Sequence, residues 1–324
     1  DLHLTKSDTW GYQAPPDAPP GSRVFNNVSP GHVRLEFGRR AGGAAAEQFR
    51  QRLDLYHGRI VVRLGRDSDS PRLEIWGHPK RKILVVEITD PGGVLEPATV
   101  ELRQWRPSMK LSASGTAIEA AEVHRRPARP HLANTGMEDY FDAESDPLLG
   151  RGTAVVVGTG SIRPASCSAE ASCATMTLPQ RRPAQYSLVI AAAVTTDGDP
   201  LAATRRELEA ALAVPPATLK AEQQARWRDY WGESFLRIES PDKMADWLCA
   251  AYHVHLYTLG CTARGPVPCK WDGGAGLMRG DERTWGLSEW VQEIRFTYLP
   301  LYAANRLEMA HGLTRHYSQM RPYL

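Results

Sequence analysis

The sequence predicts a β-sandwich followed by a helical region within one chain of 324 residues. From the N-terminus to about residue 198, short apolar runs alternate with turn signals, and no helical period separates them. After residue 198 the apolar spacing changes to three and four residues, which is typical of helices with one buried face. A chain of this length can bury a large core and is expected to hold about two domains.

The β region is recognised by runs of aliphatic and β-branched residues. The predicted strands are 33–37, 59–64, 73–75, 82–89, 99–105, 153–159 and 186–194. Turn signals lie between them, including His57-Gly58 and Asp90-Pro-Gly-Gly93. Short strands without intervening helices favour antiparallel sheets packed face to face.

Cap and breaker residues delimit the predicted helices. These helices are 199–214, 218–231, 240–260 and 288–311. Asp199 before Pro200 is a cap and first-turn pair, and Ser240 before Pro241 is another. Gly260 is expected to end the third helix. The apolar stripe of this third helix is expected to be buried and comprises Met244, Trp247, Leu248, Ala251, His255 and Leu259.

The stretch Gly280–Arg306 is predicted to carry the functional site. A helix from about Ser288 gives a buried face that comprises Trp290, Ile294, Thr297, Tyr298 and Leu301. A second, polar face comprises Glu289, Gln292, Glu293 and Phe296. Carboxylates four residues apart repel by roughly 0.2–0.5 kcal/mol, so an ordinary solvated face would more often place Lys opposite Glu. The helix is expected to continue through a kink at Pro300 to about His311.

The preceding loop, Thr262–Leu287, places charged and aromatic residues among glycines. Long loops between helices are uncommon unless they are functional. Carboxylates, amides and tryptophans together are typical of a sugar pocket, where they accept hydroxyl hydrogen bonds and stack on the ring. The predicted substrate-binding residues are Trp271, Asp272, Asp281, Arg283, Trp285, Glu289, Trp290 and Gln292. The alternative is a solvated helix whose aromatic residues belong to the core.

Composition excludes several classes of function. The net charge is +2 with both signs interspersed, which predicts no nucleic-acid or membrane partner. No cofactor is expected, because the glycines form no phosphate-binding loop and no CxxC pair suggests zinc. The acidic stretch Arg125–Gly150 could be read as a calcium site, but a solvated loop is the default interpretation.

The five cysteines leave the redox state open. Cys167 and Cys173 flank one small-residue loop, and Cys261 and Cys269 flank another. Each pair could close a short disulfide in an oxidising compartment, or the four residues could be free small hydrophobes.

Several motifs resemble glycoside hydrolase family 95, the α-L-fucosidases and their relatives. They are Tyr298-Leu-Pro300-Leu-Tyr-Ala-Ala-Asn305-Arg306, Trp227-Arg-Asp-Tyr-Trp231-Gly-Glu-Ser-Phe235 and Leu256-Tyr-Thr-Leu-Gly-Cys261. Within that group the sequence looks most like a secreted branch, family 5703 of the domains of unknown function. The run Trp290-Val-Gln-Glu293-Ile also resembles a strip of family 65 glycosidases and phosphorylases that binds the sugar in the central subsite.

The resemblance implies a definite architecture. It consists of an antiparallel β-supersandwich over 1–198, a helical linker over 199–239, and the first helical hairpin of an incomplete (α/α)6 toroid over 240–324. Val291 and Glu293 occupy the positions where the fucosidases have an Asn-x-Asn pair that orients the hydrolytic water. Because valine cannot hydrogen-bond water, fucosidase specificity is not implied.

The functional hypothesis is an inverting glycoside hydrolase that acts on an oligo- or polysaccharide outside the cytoplasm, secreted or periplasmic. Glu293 is the candidate catalytic residue of this chain. In the resembled families the catalytic acid is a glutamate from a later part of the toroid, so the chain is expected to be a piece of a longer protein and inactive alone. The alternatives are a non-catalytic glycan-binding module and a glycoside phosphorylase relative. The oligomeric state is left open, although the C-terminal hundred or so residues are expected to associate, to aggregate or to lean on the sandwich.

Overall fold

The computed structural model describes most of the chain, as two compact units. The described ranges are 1–4, 10–13, 24–27, 29–39, 49–66, 68–125, 149–179, 183–263, 268–269 and 291–320. Unit 1 comprises Asp1–Leu4, Pro30–Arg126 and Pro147–Arg226, and unit 2 comprises Thr5–Ser29, Pro127–Asp146 and Trp227–Leu324. The predicted domain boundaries at 198 and 239 stay predictions.

Unit 1 holds two antiparallel sheets. The five-stranded sheet has the order β1 (Leu2–Leu4), β4 (Gly31–Arg39), β9 (Leu95–Arg103), β14 (Cys173–Thr177), β13 (Ser166–Ala169). The eight-stranded sheet has the order β10 (Lys110–Ala113), β11 (Ala117–Val123), β12 (Gly152–Thr159), β15 (Gln185–Thr195), β8 (Ile83–Thr89), β7 (Arg72–Gly77), β6 (Arg59–Leu64), β5 (Phe49–Asp54). In unit 2, β2 (Trp10–Gln13) pairs with β3 (Val24–Asn27). All seven strands predicted from apolar runs are confirmed.

The two sheets of unit 1 pack face to face around one core. Val100 and Leu102 from β9 share a buried cluster with Val155 from β12 and Leu188 from β15. The predicted antiparallel sandwich is therefore confirmed. Burying this interior is the main stabilising term of unit 1, at about 1.5–3 kcal/mol for each large apolar side chain removed from water.

Helices cover the second face of the eight-stranded sheet. Helix α1 (Pro200–Leu212) and helix α2 (Pro216–Glu233) contribute Leu208 and Leu219 to a second buried cluster. Val156 of β12 belongs to this cluster, whereas its neighbours Val155 and Val157 face the sandwich. A strand buried on both faces needs apolar residues at successive positions, which explains the uninterrupted valines of β12.

The start of α1 follows its predicted cap. The Asp199 side chain accepts hydrogen bonds from the backbone N–H groups of Leu201 and Ala202, at 2.8 and 3.2 Å. Pro200 occupies the first helical position, where its missing N–H costs nothing. Helix α2 begins in unit 1 and ends in unit 2, because the boundary between the units falls after Arg226.

Helix α3 spans Met244–Thr262 and begins later than predicted. Lys243 takes a left-handed conformation with φ of 58° and is the N-terminal flanking residue. Ser240 and Asp242 still act as caps, because their side chains accept hydrogen bonds from the first two helical N–H groups at 3.1 and 3.0 Å. The predicted end at Gly260 is wrong, since this glycine lies inside the helix.

The predicted buried stripe of α3 is mostly wrong. Met244, Trp247, Leu248 and Ala251 are exposed, and Leu259 is buried. The helical period was correct, but a periodic stripe identifies an apolar face without showing that anything covers it. The residues that α3 does bury are Ala245, Leu256, Leu259 and Gly260.

The last predicted helix is two helices. Helix α4 spans Val291–Ala303 and α5 spans Leu307–Met320. Asn305 lies between them with φ of 54°, a left-handed conformation that asparagine tolerates better than most residues. The predicted continuous helix to His311 is therefore wrong, and Gly312 lies inside α5.

Candidate functional site

The first turn of α4 is the part of the predicted site that the structure describes. Ile294, Thr297, Tyr298 and Leu301 are buried, so the predicted inner face of α4 is confirmed at these positions. Gln292 is exposed and Glu293 is half-buried, which leaves the polar face within reach of solvent.

Glu293 lies where a helix favours negative charge. It occupies the first turn of α4, near the positive end of the helix dipole. Among the described residues, none forms an ion pair with its carboxylate, whose oxygens can accept hydrogen bonds. Gln292, beside it, adds one amide acceptor and two donors.

The other predicted site residues lie outside the described residues. They are Trp271, Asp272, Asp281, Arg283, Trp285, Glu289 and Trp290. Their placement around Glu293 stays a prediction. The acidic stretch that could be read as a calcium site, with Asn134, Glu138, Asp139 and Asp142, also lies outside the described residues.

A hydrogen bond on the inner face of α4 fixes part of the preceding segment. The backbone N–H of Cys269 donates to the hydroxyl oxygen of Tyr298 at 2.9 Å, and both residues are buried. The start of the predicted sugar-binding loop is thus attached to the same helix that carries Glu293. Sequence reasoning placed Tyr298 in the core but missed this second role.

Arg306 connects α2 with the turn after α4. Its side chain is fully buried, its Nη1 donates to the Glu233 carboxylate at 2.7 Å, and its guanidinium lies 3.8 Å from the centre of the Tyr230 ring. Tyr230 in turn donates from its hydroxyl to the backbone oxygen of Leu256 in α3 at 2.5 Å. Because a buried guanidinium is costly without a partner, this set of contacts holds three helices in one arrangement.

Aromatic residues fill the contact between α2 and α3. Trp227 stacks on Tyr257 with ring centres 4.8 Å apart and lies edge-on to Tyr230 at 5.3 Å. Gly260 permits this approach, since a Cβ there would lie 3.0 Å from Tyr230 Cζ and 3.3 Å from Trp227 Cη2. The Trp227–Phe235 and Tyr298–Arg306 motifs thus contain packing residues that hold the scaffold behind the candidate site.

A charged network lies on β6, β7, β8 and α2 of unit 1. Arg59 pairs with Glu74 at 2.7 Å, and Lys220 bonds both Glu74 at 3.0 Å and Glu87 at 2.5 Å. Burial raises the pKa of Glu74, but Lys220, Arg59 and Arg72 outweigh it, so the pKa lies below its ordinary value. Since these opposite charges are already paired, we interpret the network as structural.

Metal and disulfide hypotheses meet different outcomes. Within the described ranges, no group of three or more His, Cys, Asp or Glu side chains is placed to hold a metal ion.

Cys167 pairs in register with Met176, so Cys173 lies about three residues, or roughly 10 Å, further along the hairpin. A bridge needs Cα atoms within about 7 Å, so of the two alternatives left open for Cys167 and Cys173 the structure supports free thiols. Cys261 is exposed and Cys269 is buried.

Three of the solved structures that match this chain are carbohydrate-active enzymes, each with a TM-score below 0.5. A protein assigned as a kojibiose phosphorylase from the human microbiome matches with a TM-score of 0.48 and 11% identity, over 81% of this chain and 36% of its own. A bacterial glucoamylase complexed with acarbose matches with a TM-score of 0.47 and 10% identity, over 95% and 48%. A GH92 inverting mannosidase from Bacteroides thetaiotaomicron matches with a TM-score of 0.43 and 8% identity, over 79% and 36%.

This chain spans less than half the length of each of these three proteins. No protein-family model matches the sequence, and no curated protein matches it. Among the described segments, none of the helices is long and apolar enough to cross a membrane.

Proposed function

We propose that this chain is part of an inverting glycoside hydrolase and that the first turn of α4 contributes to its sugar-binding site. The observation that carries the proposal is the position of Glu293. Glu293 is half-buried and has no ion-pair partner among the described residues, and the helix that bears it is attached to Cys269 through the Tyr298 hydroxyl. The resemblance of the motifs in 227–306 to family 95 supports the same assignment.

In this proposal Glu293 accepts a hydrogen bond from a sugar hydroxyl or from the attacking water. Inverting hydrolysis needs a proton donor at the leaving oxygen and a base that activates water, with the two carboxyl groups about 6.5–9.5 Å apart. Glu293 lies on the water side of that pair, and Gln292 orients a neighbouring hydroxyl. The tryptophans of the loop stack on the sugar, and the proton donor comes from another part of the whole protein, which acts outside the cytoplasm.

Binding of sugars to this chain tests the proposal directly. The measurement is calorimetric titration with a panel of oligosaccharides and aryl glycosides, together with release of reducing sugar. For a ligand that binds, Glu293→Gln is expected to weaken affinity about 10- to 100-fold, because a hydrogen bond to a charged group contributes about 1.5–3 kcal/mol. The chain alone is expected to release no sugar.

Glu308→Gln is the matched control, since Glu308 is an exposed acid in the first turn of α5. This variant should bind like the parent chain. If the parent chain, Glu293→Gln and Glu308→Gln bound the ligand equally well, Glu293 would be an ordinary solvated residue and the proposal would be wrong. Binding without hydrolysis, in this chain and in any longer protein that contains it, would instead favour a non-catalytic glycan-binding module.

A further inference from the structure

One face of α3 is apolar and lies in solvent. Trp247 is 66% exposed, Met244 is 58% exposed, and Leu248 and Val254 are each 46% exposed. Between Met244 and Thr262 the helix carries a single carboxylate, Asp246, and no Lys or Arg. A helix that is apolar nearly all round is normally buried, and a contiguous apolar patch of this kind marks an interaction site.

The helix face centred on Ala251 has the same pattern when read in either direction. His255 and Thr258 on this face are half-buried, and its other members are exposed. Residues 244, 247, 248, 251, 254, 255 and 258 follow the three–four spacing of one helix face. Two copies of α3 that cross antiparallel at Ala251 therefore place Leu248 against Val254 and Trp247 against His255. Ala251 is exposed and small, so the two backbones can approach closely where the copies meet. Such a face is self-complementary, as a two-fold interface requires.

The charges of α3 favour the antiparallel arrangement. Asp242, Lys243 and Asp246 all lie at the N-terminal end of the helix. An antiparallel pair keeps the Asp246 residues of the two copies apart and places the positive end of each helix dipole beside the negative end of the other, whereas a parallel pair would bring like charges together.

We propose that two copies of this chain dimerise through antiparallel packing of α3 about Ala251. A helix of 19 residues is roughly 28 Å long, so one face covers less than the roughly 800 Å² per partner of a standard interface. The dimer is accordingly weak, with a dissociation constant on the order of 10 µM. This proposal is independent of any activity towards sugars.

Sedimentation velocity over a concentration series tests the dimer. The chain should shift from monomer to dimer through the micromolar range. Ala251→Glu places two like charges at the crossing and should weaken association at least tenfold. Leu299→Glu is the matched control, because Leu299 is an exposed apolar residue of α4 and should leave association unchanged. Circular dichroism checks that both variants keep their helices.

A charge pair tests the register. Leu248→Lys and Val254→Glu should each weaken the dimer, and the double variant should recover it, because each lysine then faces a glutamate across the two-fold axis. The two positions are six residues apart and do not touch within one helix. A parent chain that stays monomeric, association that survives Ala251→Glu, or a double variant no better than the single variants would each overturn the proposal.

Discussion

Strand β12 of unit 1 and helix α3 of unit 2 are both apolar along most of their length, yet their surroundings differ. Val155, Val156 and Val157 are all fully buried, because the second sheet covers one face of β12 and helices cover the other. In α3, Trp247 and Leu248 are exposed. The apolar residues of a helix or strand therefore set how much apolar surface it could bury. Its neighbours in the fold determine how much of that surface is buried.

The largest difference in stability is expected between two leucine truncations, one in each unit. Leu188→Ala in β15 should lower the free energy of unfolding of unit 1 by about 2–5 kcal/mol, because it opens a cavity in a closed core. Leu248→Ala should change the stability of the monomer by less than about 0.5 kcal/mol, since its side chain is already exposed. Urea unfolding followed by fluorescence and circular dichroism at low protein concentration measures both. Equal losses would mean that α3 is covered in solution.

A smaller effect is expected from pH in unit 1. The side chain of His78 is fully buried, and its Nδ1 accepts hydrogen bonds from the N–H groups of Lys80 and Arg81 at 3.2 and 3.1 Å. Its proton therefore lies on Nε2, which is 3.1 Å from the Glu222 carboxylate. Burial lowers the pKa of His78 below its ordinary value, an effect that Glu222 opposes and that Arg81 and Lys80 reinforce.

The sign of the pH dependence follows from this lowered pKa. As pH falls below about 6.5, the unfolded chain takes up a proton that the folded chain does not, so stability falls by at most about 1.4 kcal/mol per pH unit. His78→Asn keeps an acceptor for the turn and should flatten the stability curve between about pH 7 and pH 5. The lowered pKa values of Asp54 and Glu74 should preserve a separate loss below about pH 4.5 in both proteins. An unchanged curve in the variant would contradict the neutral, buried His78.

The smallest expected change in stability comes from adding a methyl group to a helix of unit 2, either where the helix packs against another or where it has open space. Gly260→Ala should destabilise by about 1 kcal/mol, because the new methyl group contacts Tyr230 and Trp227, and this overpacking exceeds the gain in helix propensity. Gly232→Ala is the control. No atom lies within 4 Å of its added Cβ, so it should stabilise α2 by about 0.5–1 kcal/mol. Thermal unfolding of both variants measures the difference, and a stabilising Gly260→Ala would indicate a looser contact between α2 and α3.

Much of the fold could be predicted because its signals are local. The Asp199 cap and the apolar runs of β8, β12 and β15 act within a few residues of themselves. Two features were missed because helical spacing carries no signal for them. The break at Asn305 depends on a left-handed conformation, and the burial of Arg306 depends on Glu233 and Tyr230, which are more than seventy residues away.

The candidate site could be predicted only as a pattern. The inner face of α4 follows from helical spacing, and the accessibility of Gln292 and Glu293 follows as its complement. Spacing along one helix gives no information on which loop side chains approach Glu293, since that depends on tertiary structure. The contact between Cys269 and Tyr298, 29 residues apart, is of this kind.

Because β12 and β15 are buried on both faces, few substitutions are expected to be tolerated in these two strands. A strand with one wet face accepts polar replacements at every second position, but Val156 and Val189 face helices while Val155 and Leu188 face the other sheet. Neither side of these strands tolerates a charge, so substitutions should accumulate in the loops and on exposed helix faces instead. Uninterrupted runs of small and branched apolar residues in these two strands are therefore the pattern by which distant relatives of this chain should be sought.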